Sequence, residues 1–148
     1  MKEKTKKIIK ETVGWIVYIA FLIGLVYGVP RGLSYYLKTE YPMASITSGS
    51  MWPVLKKGDL VLIEGIDSRD ELRMGDIVVY KNPKGFTIHR ITELRENTLV
   101  TKGDANNVSD SPVAYEDVIG KTVDWNGKPF RIPFLGSVGL LINKNNIE

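Results

Sequence analysis

The chain has 148 residues, enough for one domain with a modest core, and its 20 Lys and Arg against 17 Asp and Glu leave a net charge of +3, too little to imply a nucleic-acid partner. It has no cysteine and one histidine, His89, which excludes a disulfide framework, a thiolate metal cluster, a cysteine nucleophile and a multi-histidine metal site. The positive charge is uneven: the first twelve residues, MKEKTKKIIKET, hold five lysines against two glutamates.

Residues 12–30, TVGWIVYIAFLIGLVYGVP, follow without a charge and with apolar side chains around the whole helical wheel. At ~1.5 Å per residue they reach about 28 Å, close to the hydrocarbon core of a bilayer. Trp15, Tyr18 and Tyr27 lie towards the two ends, where amphipathic rings favour the interface. The run is longer than the apolar stretch of a secretory signal, and PRGLSYYLKTEY after it offers no small-residue cleavage site, so a retained anchor is expected. The lysine asymmetry places residues 1–11 in the cytoplasm, residues 12–30 in the lipid bilayer, and residues 31–148 outside, with the plasma membrane as the expected location.

Beyond the anchor the period changes. Short β-branched and apolar runs start at Leu60 (LVLIE), Asp76 (DIVVY), Phe86 (FTIHRIT), Thr98 (TLVT) and Val118 (VIGKTVDW), separated by Gly, Pro, Asn and Asp. They describe a mostly β fold: one N-terminal transmembrane helix followed by an all-β domain of short strands. Asp67 to Met74 read as a charged connector. The uncharged run at 132–142 is too short to span a bilayer and suits a last strand or an interfacial segment equally.

Three places carry chemistry. In SGSMWP, residues 48–53, Ser50 follows a glycine that leaves room for a substrate backbone. A serine hydroxyl needs a base, and in TIHRIT the strand alternation sets Thr87, His89 and Ile91 on one face. In TKGDANNVSD, Asp104 and Asp110 supply carboxylates, either of which can hold an imidazole in the right tautomer. Met51 and Trp52, beside Ser50, suit contact with substrate or lipid, or else core packing. The sequon at Asn107 and the acidic look of DANNVSD carry no weight: a glycan would crowd Asp110, and Val108 and Ser109 break a calcium loop. No metal and no cofactor are expected.

Taken in order, SGSMWP with Gly58-Asp59, GDIVVY, His89-Arg90 and KGDANNVSD resemble the signal peptidase I family in its endoplasmic-reticulum type, over roughly residues 8–125. The resemblance implies a membrane-anchored serine endopeptidase that cleaves signal peptides from exported preproteins, after small residues. It makes Ser50 the nucleophile, His89 the base where the usual bacterial branch has lysine, and Asp110 the third member, with Asp104 in support. It gives Ser48 a place beside the Ser50 N–H in an oxyanion hole. Many relatives carry a second hydrophobic helix at the carboxyl end; here a single-span member is expected. The implied partners are preprotein signal peptides and the bilayer, with secretion-machinery subunits unspecified. A catalytically silent interaction module and a self-cleaving repressor of the SOS type are the alternatives; the latter would use lysine and a DNA-binding domain.

Overall fold

The structure, a computed structural model, describes residues 2–137. The apolar run forms helix throughout: α1 (Lys2–Ile23), a π-helical turn (Gly24–Gly28) and α2 (Val29–Tyr36) follow without a break. The π turn lies just before Pro30. A proline has no N–H for the carbonyl four residues back and its ring collides with that carbonyl; a widened turn relieves both. Among the described residues this is the one helix long and apolar enough to cross a membrane, and the most apolar stretch is fully exposed. It extends past the uncharged run at both ends, and a separate compact unit begins at Leu37.

That second unit is built of ten short strands: β1 (Met43–Ser45), β2 (Leu60–Glu64), β3 (Ile77–Asn82), β4 (Gly85–Leu94), β5 (Thr98–Lys102), β6 (Val113–Ala114), β7 (Val118–Thr122), β8 (Asp124–Trp125), β9 (Lys128–Pro129) and β10 (Arg131–Ile132). Eight form one antiparallel sheet in the order β1-β2-β7-β3-β4-β5-β6, with β10 also on β2, and β8 and β9 form a separate hairpin. The mostly β fold expected from the sequence is present.

Strand β3 explains why its sequence is a continuous apolar run. Ile77 and Val79 pack into a core with Ile46, Met51, Val61 and Ile63, while Val78 and Tyr80 pack into another with Ile91, Leu99 and Val113. Side chains alternate between the faces, so a strand buried on both sides has no polar face to show. Strand β2 keeps an alternating pattern, with Val61 and Ile63 buried between partly exposed neighbours.

The connector at 67–74 contains a single 3-10 turn, Arg69–Glu71, closed by a capping box between Ser68 and Glu71, and it lowers Leu72 into the core. At the carboxyl end, Ile132 closes β10, the chain turns at 133–134 and starts a helical turn at 135–137. The rest of the 132–142 run lies outside the described residues.

Candidate active site

Ser50 sits on a turn fixed from below. Trp52 N–H donates to the Gly49 carbonyl at 3.0 Å and Leu55 N–H to the Met51 carbonyl at 2.9 Å. Met51 and Leu55 have no exposed surface and anchor the turn in the core. Of the two readings open for Met51, the structure has the core one: it points into the protein beside Ile46 and Leu55, where an unbranched apolar side chain fills the gap beneath the turn. Trp52 points outward and is 60% exposed. The Trp52-Pro53 peptide bond is cis.

Downstream, buried Asp59 holds the turn's exit, its Oδ2 accepting from Lys56 N–H at 2.9 Å and from Arg131 Nη1 at 2.8 Å. Within the turn, Ser48 Oγ lies 3.1 Å from Ser50 Oγ and 3.5 Å from the Ser50 backbone nitrogen. The Ser50 N–H thus donates to the Ser48 hydroxyl oxygen, and the two hydroxyls are neighbours.

His89 occupies the middle of β4, opposite Val78 of β3, and is 7% exposed. Its Nδ1 is 2.6 Å from Asp110 Oδ2. With the carboxylate ionised, Nδ1 carries the proton and donates it, which leaves Nε2 as the free lone pair. Asp110 is held in turn by Thr101: the Asp110 N–H donates to the Thr101 carbonyl at 2.8 Å, and Thr101 Oγ1 donates to Oδ2 at 2.7 Å.

Asp104, six residues earlier in the same loop, does not touch His89. It pairs with the next residue of β4, Arg90, through Nε to Oδ1 at 2.7 Å and Nη2 to Oδ2 at 2.8 Å. The Asp104 carboxylate raises the Arg90 guanidinium above its ordinary value, and Arg90 Nη1 donates to the Gly75 carbonyl at 2.7 Å.

The loop also grips the nucleophile turn. Ala105 N–H donates to the Ser50 carbonyl at 2.8 Å, and a Cβ on Gly103 would fall 2.7 Å from that same oxygen. One segment, residues 103–110, thus contacts Ser50 through a backbone amide, Arg90 through Asp104, and His89 through Asp110.

Ser48, Ser50, His89 and Asn106 line one cavity of about 710 Å³ whose other walls include Ala44, Ile46, Ile63 and Ile88. Among the described residues, the Ser50 hydroxyl hydrogen-bonds to Ser48 and not to His89; catalytic hydrogen bonds of this kind are commonly long before substrate binds. No group of three acidic or histidine side chains among the described residues is placed to hold a metal. The sequence missed Arg90, Thr101, Gly103 and Asn106. Arg90 had a weak signal, adjacency to the histidine; Thr101 had none, since a threonine in TLVT reads simply as a strand former.

Residues 28–127 match the family model for S24-like peptidases. Similar proteins include signal peptidase complex catalytic subunits of Sclerotinia sclerotiorum (30% identical, covering 92% of this chain and 84% of that one), Leptosphaeria maculans (32%, 92% and 83%) and Neurospora crassa (34%, 78% and 72%). The chain belongs to the S24-like peptidases, in the signal peptidase I group of endoplasmic-reticulum type, and is a serine endopeptidase anchored in a membrane by its N-terminal helix.

Proposed function

We propose that this peptidase removes N-terminal signal peptides from exported preproteins with Ser50 as nucleophile, His89 as general base and acid, and Asp110 as the group that orients His89. The observation that carries the reading is the 2.6 Å contact from His89 Nδ1 to Asp110, which leaves Nε2 free beside the cavity that Ser50 also lines.

In the acylation step Ser50 Oγ loses its proton to His89 Nε2 and attacks the scissile carbonyl carbon. Asp110 stays ionised and stabilises the imidazolium. Charge develops on the carbonyl oxygen, and the Ser50 N–H, which donates to Ser48 Oγ at 3.5 Å before substrate binds, and the Ser48 hydroxyl are its proposed donors. The imidazolium then protonates the departing amine, which frees the mature protein and leaves the signal peptide esterified to Ser50. Water, deprotonated by the same nitrogen, hydrolyses the ester.

The apolar cavity walls suit the apolar, signal-peptide side of the cut. Strand β1 ends the sheet order and lines the cavity, and among the described residues no strand pairs with its outer edge, which suits an extended substrate.

The five lysines before the anchor support a cytoplasmic N-terminus with the β unit on the far side, which in a cell lacking internal membranes is the outer face of the plasma membrane. The relatives are named as subunits of signal peptidase complexes, which supports further subunits here as well.

The test is cleavage of one preprotein by the full chain reconstituted in lipid vesicles. The wild type should release a mature protein with a defined N-terminus, and Ser50→Ala should release none; processing by Ser50→Ala at the wild-type rate overturns the reading.

A further inference from the structure

Building on the triad proposed above, we propose that Thr101 is a positioning residue for the reaction, its buried hydroxyl fixing the Asp110 carboxylate that orients His89.

Thr101 lies in β5 between Val100 and Lys102 and has no exposed surface. A hydroxyl buried there costs free energy unless it is hydrogen-bonded. Its oxygen has two neighbours: Asp110 Oδ2 at 2.7 Å and the Tyr80 hydroxyl at 3.3 Å.

A threonine has one proton to give, and the closer, charged oxygen takes it. The Tyr80 hydroxyl is the more distant of the two acceptors of Thr101 Oγ1, and Tyr80, whose phenol burial pushes up, also interacts with Asp110 itself. The Thr101 hydroxyl thus donates to the same carboxylate oxygen that accepts from His89 Nδ1. Because the Thr101 carbonyl also accepts the Asp110 N–H, one residue holds both the backbone and the carboxylate of Asp110.

Two consequences separate this role from packing. Without the hydroxyl, Oδ2 loses a fixed direction, so His89 spends less time aimed at Ser50. Oδ2 also keeps more of its negative charge, which favours the imidazolium and moves the acid limb of activity to higher pH. The other polar and charged groups that share the cleft on the far side of Asp110 are Tyr80, Lys81, Asn82, Lys84, Ser111 and Asp117. Of these, Tyr80 alone has a hydrogen bond to Thr101, and the Tyr80→Phe variant below measures its share of the shift.

The experiment measures kcat, KM and the pH profile of preprotein cleavage by the full chain in vesicles, for wild type, Thr101→Val and Thr101→Ser. Valine keeps the volume and removes the hydroxyl. It should lower kcat by about 10- to 100-fold, a part of the ~10⁴ lost with a triad carboxylate, leave KM within about threefold, and move the acid limb upward. Serine should restore kcat to within about threefold of wild type with the wild-type limb. Tyr80→Phe, which leaves Thr101 in place, should shift the limb by less and in the same direction.

Thr101→Val with wild-type kcat and an unmoved limb overturns the proposal, as does a folded Thr101→Ser as impaired as valine. Both outcomes leave the triad standing if the wild type cleaves and Ser50→Ala does not; a wild type that fails to cleave sinks the underlying reading and this proposal with it.

Discussion

Arg90 and Asp104 form a two-pronged ion pair, 2.7 and 2.8 Å, one residue along β4 from the histidine that Asp110 holds. Adjacent residues of a strand point to opposite faces. The loop after β5 therefore fastens both faces of β4, one aspartate to each, and the two carboxylates do different work. Asp104 ties the loop to β4 through a guanidinium.

Asp104→Asn keeps an acceptor but loses the charge opposite Arg90, whose side chain is 32% exposed. The expected result is a stability loss of about 2 kcal/mol, with cleavage reduced but measurable. Denaturant unfolding and the cleavage rate of the same preparation check it; an inactive variant of wild-type stability would reverse the roles of the two aspartates.

Gly103→Ala should damage activity more than its size suggests. The added methyl meets the Ser50 carbonyl oxygen at 2.7 Å and the Asn106 amide at 2.7 Å, so the loop has to withdraw from the nucleophile turn, taking Asp110 with it. A drop in kcat of at least about 100-fold is expected, against ~10⁴ for complete loss of a triad carboxylate. Single-turnover rates with saturating preprotein measure it directly.

Met51 and Trp52 are neighbours with opposite environments. Met51→Ala leaves a hole in the core beneath the nucleophile turn and should cost about 2–5 kcal/mol. Trp52→Ala removes an exposed ring and should leave unfolding within about 0.5 kcal/mol of wild type. Parallel denaturation curves decide between them.

Burial raises the Tyr80 phenol above its usual value, so the folded protein holds that proton more tightly than the unfolded chain. The resulting stability is fully present below the unfolded value of about 10 and declines as pH rises from there through the folded value. Unfolding free energies measured from pH 8 to 11 should fall more steeply for wild type than for Tyr80→Phe.

Each of the five apolar runs seen in the sequence contains a strand of the structure, because hydrophobic pattern and β-branched composition act locally. The strands at Met43, Val113, Lys128 and Arg131 escaped notice. They are two or three residues long and exist through their partners: Met43–Ser45 is a strand because β2 pairs with it. The same limit governs the site. Ser50, His89 and Asp110 stood out as candidates from motifs in order, since reactive residue types are few and the chain has one histidine; the structure sets His89 against Asp110 and both Ser50 and His89 on one cavity. That Asp104 would take Arg90, that Thr101 would stand behind Asp110, and that Met51 would turn inward are consequences of packing between segments far apart in sequence, which no local pattern records.

The rate of preprotein cleavage by Asp110→Asn, measured with its melting temperature, tests the central claim most directly. An asparagine keeps the shape of the loop but no longer enforces the tautomer with the Nε2 lone pair free. The account predicts a kcat lower by about 10⁴ in a protein that still melts cooperatively within a few degrees of wild type. A folded Asp110→Asn that cleaves within about tenfold of the wild-type rate would contradict it.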